Sequence, residues 1–115
     1  MKIETWPKEL DALIAAPDHH TLLFENEKVR VLDTLIKPDD VTPVHTHENS
    51  SVFYILAWSD FVRYDGDGNV LADTRNSSEP PPAVLWGDPL GPHAVKNVGR
   101  SDLHVIGFEV KKPAN

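Results

Sequence analysis

The chain has 115 residues, of which 40% are hydrophobic and 25% charged, and its formal net charge is −7. These values are typical of one globular domain, and the acidic balance argues against nucleic acid as a partner because phosphate binding needs a basic face. The lack of cysteine excludes disulfides and thiolate metal sites. No uncharged apolar run is long enough to span a membrane, and no signal-peptide pattern opens the chain. We therefore expect a cytoplasmic protein without a membrane partner.

The first twenty residues predict a short helix and an arm. Trp6-Pro7 can begin a helix, because proline is favoured at the first helical position. Leu10, Leu13 and Ile14 then fall on one helical face, and Pro17 ends the helix. We expect this amphipathic helix to lie against the outside of a sheet.

The residues that follow, 21–110, predict short strands separated by turns. Branched and aromatic residues dominate the strand segments, and Gly, Pro, Asn and Asp dominate the turns. The predicted strands are 21–25, 29–36, 52–58, 61–64, 70–73, 83–86, 93–98 and 104–110. Short strands at this spacing, with little helix, predict an all-β domain of the sandwich or barrel type that fills the chain from 1 to 115.

The sequence DGDGN at 65–69 is the strongest turn signal in the chain. It also resembles the start of a calcium-binding loop. Val70 stands where that loop needs glycine, and Asn76 stands where it needs its closing glutamate. We therefore predict a hairpin tip.

Three histidines form the candidate site. His45 and His47 lie in the segment TPVHTHENSSVFYIL, and side chains two residues apart in a strand point to the same face. They would aim two imidazoles at one point, as two ligands of a metal require. His93 lies in a second turn-rich segment, GDPLGPHAVKN.

These two segments resemble the two sequence motifs of the cupins. The first cupin motif has a glycine, five residues, H-x-H, three or four residues, a glutamate, six residues and a glycine. HTH at 45–47 matches its centre, but Asp39 replaces the leading glycine and Ser51 or Val52 replaces the glutamate. With the longer spacing, Val52 takes the glutamate position and Ser59 takes that of the closing glycine.

The second cupin motif is P-x-G, two residues, histidine, three residues and asparagine. Pro89, Gly91, His93 and Asn97 match it, except that only Pro92 separates the glycine from the histidine. The resemblance covers about residues 29–110. It implies a small double-stranded β-helix, or jelly-roll barrel, of the RmlC-like type.

The resemblance also implies a divalent metal ion inside the barrel. Carried over to this chain, the ligands are His45, His47 and His93, and imidazoles suit zinc, nickel, iron, manganese or copper. Without the glutamate, ligand softness favours zinc, nickel or copper. Glu48, His104, water or substrate are candidates for the fourth position. The alternative is a metal-free polar cluster that persists from a metal-binding ancestor.

Several other side chains have a structural and a functional interpretation. His19 and His20 follow a proline in a polar turn and are predicted at the surface, and Glu109 is predicted to be exposed. Arg30, Arg63 and Arg75 lie on or beside strands, where an inward-facing guanidinium could bind a carboxylate. The strand aromatics are predicted to pack in the core, with some lining the cavity; they are Phe53, Tyr54, Trp58, Trp86 and Phe108.

The segment VFYILAW at 52–58 is apolar on both faces, so its outer face needs a cover. The N-terminal helix, a second sheet or another subunit could supply it, and we expect a homodimer.

Two functions follow from these observations. One is a metal-dependent enzyme that acts on a small organic molecule, with oxygenase-like, isomerase-like or hydrolytic chemistry, for which Glu48 is a candidate base. The other is a non-catalytic protein that binds a small ligand, or a structural barrel with a relict site.

Overall fold

The computed structural model describes residues 6–113, and within that range the chain forms nine strands and little helix. The strands are β1 (His20–Glu25), β2 (Val29–Ile36), β3 (His45–His47), β4 (Ser50–Ala57), β5 (Phe61–Asp65), β6 (Val70–Asp73), β7 (Val84–Gly87), β8 (Leu90–Asn97) and β9 (Leu103–Val110). They form a five-stranded sheet in the order β1-β2-β9-β4-β7 and a four-stranded sheet in the order β3-β8-β5-β6. All strand pairs within the two sheets are antiparallel.

This architecture confirms the all-β prediction, and most strands lie where the sequence pattern placed them. The bounds of β2 and β6 are those predicted. The main difference is β8, which begins at Leu90 rather than at His93 because Leu90 already pairs with His47 of β3. That pairing draws the turn-rich second motif into the sheet.

The N-terminal segment departs from the prediction. Instead of one amphipathic helix, it forms a 3₁₀ turn, Lys8–Leu10, and a single α-helical turn, α1 (Ala12–Ala15). Asp11 separates them in an extended conformation and caps α1, its carboxylate accepting a hydrogen bond from the backbone N–H of Leu13. The small Ala12 and Ala16 are buried, whereas Ile14 is exposed. The segment lies against β1 and β3 with these two alanines buried, while Leu10 and Leu13 are partly buried.

The DGDGN turn is a hairpin tip, as predicted. It joins β5 to β6, and the carboxylate of Asp65 accepts hydrogen bonds from the backbone N–H groups of Asp67 and Asn69. Gly68 adopts a φ of 88°, a value that glycine reaches without steric cost. The aspartate oxygens thus stabilise the turn itself.

The two faces of the five-stranded sheet have different environments. Phe53 and Ile55 of β4 face the second sheet and line the space between the two. Tyr54 and Leu56 point the other way and are about half exposed, as alternation along a strand requires. The outer face of β4 is thus open in the single chain, and its cover by another subunit stays a prediction.

Two residues on neighbouring strands extend this open face. Trp86 of β7 and Phe108 of β9 are the cross-strand partners of Val52 and are also exposed. The prediction that the strand aromatics pack in the core therefore holds for Phe53 and Trp58, which line the inner cavity, and fails for Tyr54, Trp86 and Phe108.

The end of the barrel away from the histidines is closed by Asn97, which is fully buried. Its amide donates hydrogen bonds to the carbonyls of Ile36 and Ser101, and its carbonyl accepts one from the Ser59 hydroxyl. The asparagine of the second motif therefore ties three loops together.

Among residues 6–113, no helix is both long and apolar enough to cross a membrane.

Candidate metal centre

A cavity of about 160 Å³ lies between the two sheets, and most of its wall is apolar. Ten of its seventeen lining residues are aliphatic or aromatic, and the polar ones are four histidines, two threonines and one arginine. No carboxylate is among the lining residues that the structure describes. The four histidines lie together, so they form one polar patch in an apolar chamber.

Strand pairing brings the predicted histidines together. His45 and His47 lie on β3, with their rings 5.0 Å apart between centroids. His93 lies on β8 directly opposite His45, and the two rings are 4.4 Å apart. The expectation that the two motifs meet in space is thus met by the register of β3 on β8.

The fourth histidine of the patch is His20, and its predicted surface position is wrong. His20 is the first residue of β1 and pairs with Thr34 of β2, which also lines the cavity. Its ring is buried, 4.8 Å from that of His45 and 5.5 Å from that of His47. His19 is largely buried as well, with Nε2 2.8 Å from a carboxylate oxygen of Asp40.

His20, His45 and His47 present the tightest set of donor atoms. One ring nitrogen from each lies within 4.8 Å of the other two, close enough to hold a single metal ion. The ring centroid of His93 lies 5.4 Å from that of His47, so His93 approaches the same space from β8, the neighbouring strand of the same sheet.

The hydrogen bonds of three of these rings leave the same nitrogen free. Nδ1 of His20 lies 3.0 Å from the carbonyl oxygen of Ala16. Nδ1 of His45 lies 2.8 Å from that of Pro43, and Nδ1 of His93 lies 2.7 Å from that of Gly91. A carbonyl only accepts, so each Nδ1 must donate its proton and Nε2 keeps a lone pair. Metal-binding histidines in proteins are fixed in this way. The donor chemistry of the residues present thus fits a transition metal ion.

The environment keeps these rings neutral. Burial lowers the pKa of His20 to about 4 and that of His93 to about 4. Burial, together with the neighbouring His93 and His47, lowers the pKa of His45 to about 2. Neutral imidazole is the form that binds metal, so protons do not compete for these nitrogens at neutral pH.

His47 is positioned differently, by a buried ion network. Its Nδ1 lies 3.6 Å from a carboxylate oxygen of Glu109, which is buried on β9, so the predicted exposure of Glu109 is wrong. Glu109 accepts hydrogen bonds from Arg30, at 3.0 and 3.3 Å, and from Asn49 at 3.2 Å. Arg30 in turn donates two hydrogen bonds to Asp11.

This network fixes the charges behind His47. Burial alone would raise the pKa of Glu109, but the nearby His47 ring and the hydrogen bonds from Arg30 lower it to about 2. Burial opposes the charge of Arg30 too, yet its hydrogen bonds to Asp11 and Glu109 raise its pKa above the usual range. The network therefore carries a fixed negative charge next to His47, of the kind that orients metal-binding imidazoles.

The three arginines that could face inward have three different environments. Arg30 is saturated by two carboxylates, and Arg75 is half exposed and pairs with Asp73. Arg63 lines the cavity, with its guanidinium carbon 5.6 Å from the centre of the Phe61 ring.

No family model and no curated protein matches the chain, but solved structures do. A cupin domain from Bordetella pertussis aligns with 81% of this chain and 92% of its own, with a TM-score of 0.64 and 18% identity. An RmlC-like cupin with a double-stranded β-helix from Methanocaldococcus jannaschii aligns with 79% of this chain and 77% of its own, with a TM-score of 0.57 and 10% identity. The chain has the cupin fold. A double-stranded β-helix protein from Klebsiella pneumoniae gives the same TM-score of 0.57 at 13% identity, and the alignment covers 84% of this chain and 74% of that protein.

Within this cupin barrel, the position of the missing glutamate can be identified. Ser51 is buried and pairs with Glu109, on the inner face of the sheet. Val52 pairs with Trp86 and Phe108 on the outer face, so the longer motif spacing is wrong and Ser51 holds the glutamate position. The carboxylate nearest to that position is thus Glu109, directly across the strand pair.

Two predicted fourth ligands of the cupin site lie elsewhere. Glu48 is exposed in a surface groove beside Lys111 and Lys112. His104 is on the outer face, where Nε2 lies 2.9 Å from a carboxylate oxygen of Asp33. His20 takes their place in the cavity. No local sequence signal marked it, because only the pairing of β1 with β2 turns it inward.

Proposed function

We propose that the protein binds one divalent transition metal ion through Nε2 atoms of its cavity histidines. His20, His45 and His47 form the compact set, and His93 completes the donors. The observation that carries this proposal is the shared tautomer: three Nδ1 atoms are held by backbone carbonyls, so three Nε2 lone pairs remain for an ion in the cavity.

The donor set favours particular ions. Four imidazoles, with no carboxylate among the described lining residues, suit zinc, nickel, copper or iron(II) better than magnesium or calcium, which prefer oxygen. A metal held here can polarise a substrate oxygen or activate a bound water. Glu109, fixed by Arg30, would keep the ring of His47 oriented toward the ion.

The cavity supports the action of such a centre on a small organic molecule. Its volume of about 160 Å³ is close to that of the apolar cavity known to hold benzene, so it suits a molecule of about six to ten heavy atoms. Phe53, Ile55 and Leu103 would exclude water from the bound molecule. Oxygenase-like or isomerase-like chemistry fits this apolar chamber.

The test is the metal content of protein purified without an affinity tag. We expect close to one metal ion per chain in the wild type and in His104→Ala, because His104 lies on the outer face. His45→Ala should lose the metal. A wild type that stays free of metal after incubation with Zn²⁺, Ni²⁺ and Fe²⁺ would overturn the proposal.

One observation favours a non-catalytic alternative. Catalysis by proton transfer usually employs a carboxylate or a free histidine, and none of the residues described along the cavity wall is Asp or Glu. In that alternative the barrel binds a small ligand without converting it. Recovery of an unchanged ligand after long incubation with metal-loaded protein would favour it, whereas metal-dependent turnover would favour the enzyme.

We also propose that the outer face of the five-stranded sheet joins a second copy of the chain. Tyr54, Val84, Trp86 and Phe108 are all at least 42% exposed on this face. Two acidic groups lie beside it: Asp33 is paired with His104 within the chain, and Asp88 accepts a hydrogen bond from the indole of Trp86. A largely apolar face suits an identical partner, since packing two such sheets buries both at once.

The cytoplasmic location, the lack of a nucleic acid or membrane partner, and the division into residues 1–20 and 21–110 stay predictions from the sequence.

A further inference from the structure

Arg63 is the one cationic side chain among the described residues that line the cavity. It lies in the middle of β5, opposite Val95 of β8, and Val95 lines the same cavity. Phe61, two residues earlier, also faces inward, and the guanidinium lies over its ring. Strand alternation therefore directs Arg63 into the chamber that holds the histidines.

No acidic group neutralises this guanidinium within residues 6–113. Arg63 makes no hydrogen bond or ion pair there, and its Nε is buried without a partner. Arg30 offers a contrast: it lines the surface groove rather than this cavity, and it is bonded to both Asp11 and Glu109. The fold thus saturates one partly buried arginine and leaves the other with free donors.

An unpaired and partly buried cation is costly, and the neighbours of Arg63 add to the cost. Burial lowers its pKa, yet an arginine stays protonated at neutral pH. The neighbouring His93 is neutral because burial lowers its pKa to about 4, and none of the lining residues that the structure describes is a carboxylate. A divalent ion on the histidines would add two further positive charges to the chamber, so the charge balance calls for an anion.

We propose that Arg63 binds the carboxylate of a small organic acid whose apolar body fills the cavity. A guanidinium holds a carboxylate with two parallel hydrogen bonds, and the Phe61 ring beneath it limits its movement. The apolar walls and the volume of about 160 Å³ select a short branched or single-ring acid. This inference deepens the proposed function. It rests on the proposed metal site only if the bound acid contacts the metal ion as well as Arg63.

The experiment measures binding of acetate, 2-methylpropanoate and benzoate by calorimetry, to zinc-loaded protein and to protein treated with a chelator. Benzamide serves as the neutral analogue of benzoate. We expect benzoate to bind at least about tenfold more tightly than benzamide, because a bidentate charged contact is lost in the amide. Arg63→Met should remove that preference. Arg75→Met, which changes an exposed arginine, should keep it.

A second measurement separates binding from a structural role. Without ligand, Arg63→Met should unfold at a higher temperature than the wild type, because an unpaired and partly buried charge is replaced by an apolar chain of similar length. Carboxylate addition should raise the unfolding temperature of the wild type and leave that of Arg63→Met unchanged.

The outcomes distinguish this inference from the proposed function. If zinc binds but none of the three carboxylates does, or if their binding survives Arg63→Met, the anion site is wrong and the metal site stands. If zinc fails to bind but the chelator-treated protein binds benzoate through Arg63, the anion site stands and the metal site is wrong.

Discussion

The substitution Glu109→Gln tests whether the buried network positions His47 for metal binding. Glu109 accepts from Arg30 and Asn49 and lies 3.6 Å from Nδ1 of His47. Glutamine has the same shape but only one acceptor oxygen. If that oxygen stays with Arg30 and Asn49, the amide N–H₂ faces Nδ1–H of His47, and two donors oppose each other.

The expected effects have two separate magnitudes. Loss of the buried charge should cost about 2–4 kcal/mol of stability, less than the full cost of an isolated buried charge because Asp11 still neutralises Arg30. Loss of the orienting contact to His47 should weaken zinc binding about 10- to 100-fold, as for other residues that support metal ligands. The first is measured by urea unfolding of metal-free protein and the second by competition with a chromophoric chelator at pH 7.5.

Asp11→Asn is the matched control. It removes the other carboxylate of Arg30, and asparagine still caps α1. It should therefore destabilise the fold while the contact between Glu109 and His47 stays in place, and zinc affinity should change by no more than about twofold. The reasoning is refuted if Glu109→Gln binds zinc as tightly as the wild type, or if both substitutions weaken binding equally.

Three further predictions concern pH, assembly and the glutamate position. The metal-free protein should lose on the order of a few kcal/mol of stability between pH 7 and pH 4. The histidines of the unfolded chain bind protons near pH 6.5, while the buried histidines, whose pKa is lowered to about 4 or below, stay neutral in the folded protein. A free energy of unfolding in urea that does not change over this pH range would contradict their burial. Trp86→Glu should make the protein monomeric in sedimentation velocity, whereas Leu71→Glu, on the other sheet, should not, and a wild-type monomer at all concentrations would remove the dimer. Ser51→Glu should raise zinc affinity at least about tenfold in the same chelator competition, because it returns a charged oxygen ligand to the inner face. Val52→Glu, which faces outward, should not change zinc affinity. Tighter zinc binding by Val52→Glu than by Ser51→Glu would show that the glutamate position is misassigned.

Local patterns were sufficient to predict much of the fold. The branched segment VRVLDTLI forms β2 with the predicted bounds, since such residues favour strands wherever they pack. The hairpin at 65–69 was predictable because Asp65 and Gly68 satisfy its geometry within the turn. The convergence of His45 and His47 needed only the two-residue period of a strand.

The misassigned residues all depend on distant contacts. His20 looked like a surface residue because its sequence neighbours are polar, but pairing with Thr34 turns it into the cavity. Glu109 looked exposed because it alternates with Phe108 and Val110, and in fact it is Phe108 that faces solvent. Alternation predicts that two residues face opposite ways, but it does not say which face is the interior.

The sequence by itself determined the strands, the hairpin and the pair of histidines on β3, because each depends on backbone preferences and spacing within a few residues. Only the tertiary structure decided that His20 joins the site, that Arg30 pairs with Asp11 and Glu109, and that Arg63 is left with free donors. Those outcomes depend on the register between strands that are far apart in the chain, such as Arg30 opposite Glu109. The free energy of a buried charge is set by the groups that this register places beside it, and no local pattern encodes them.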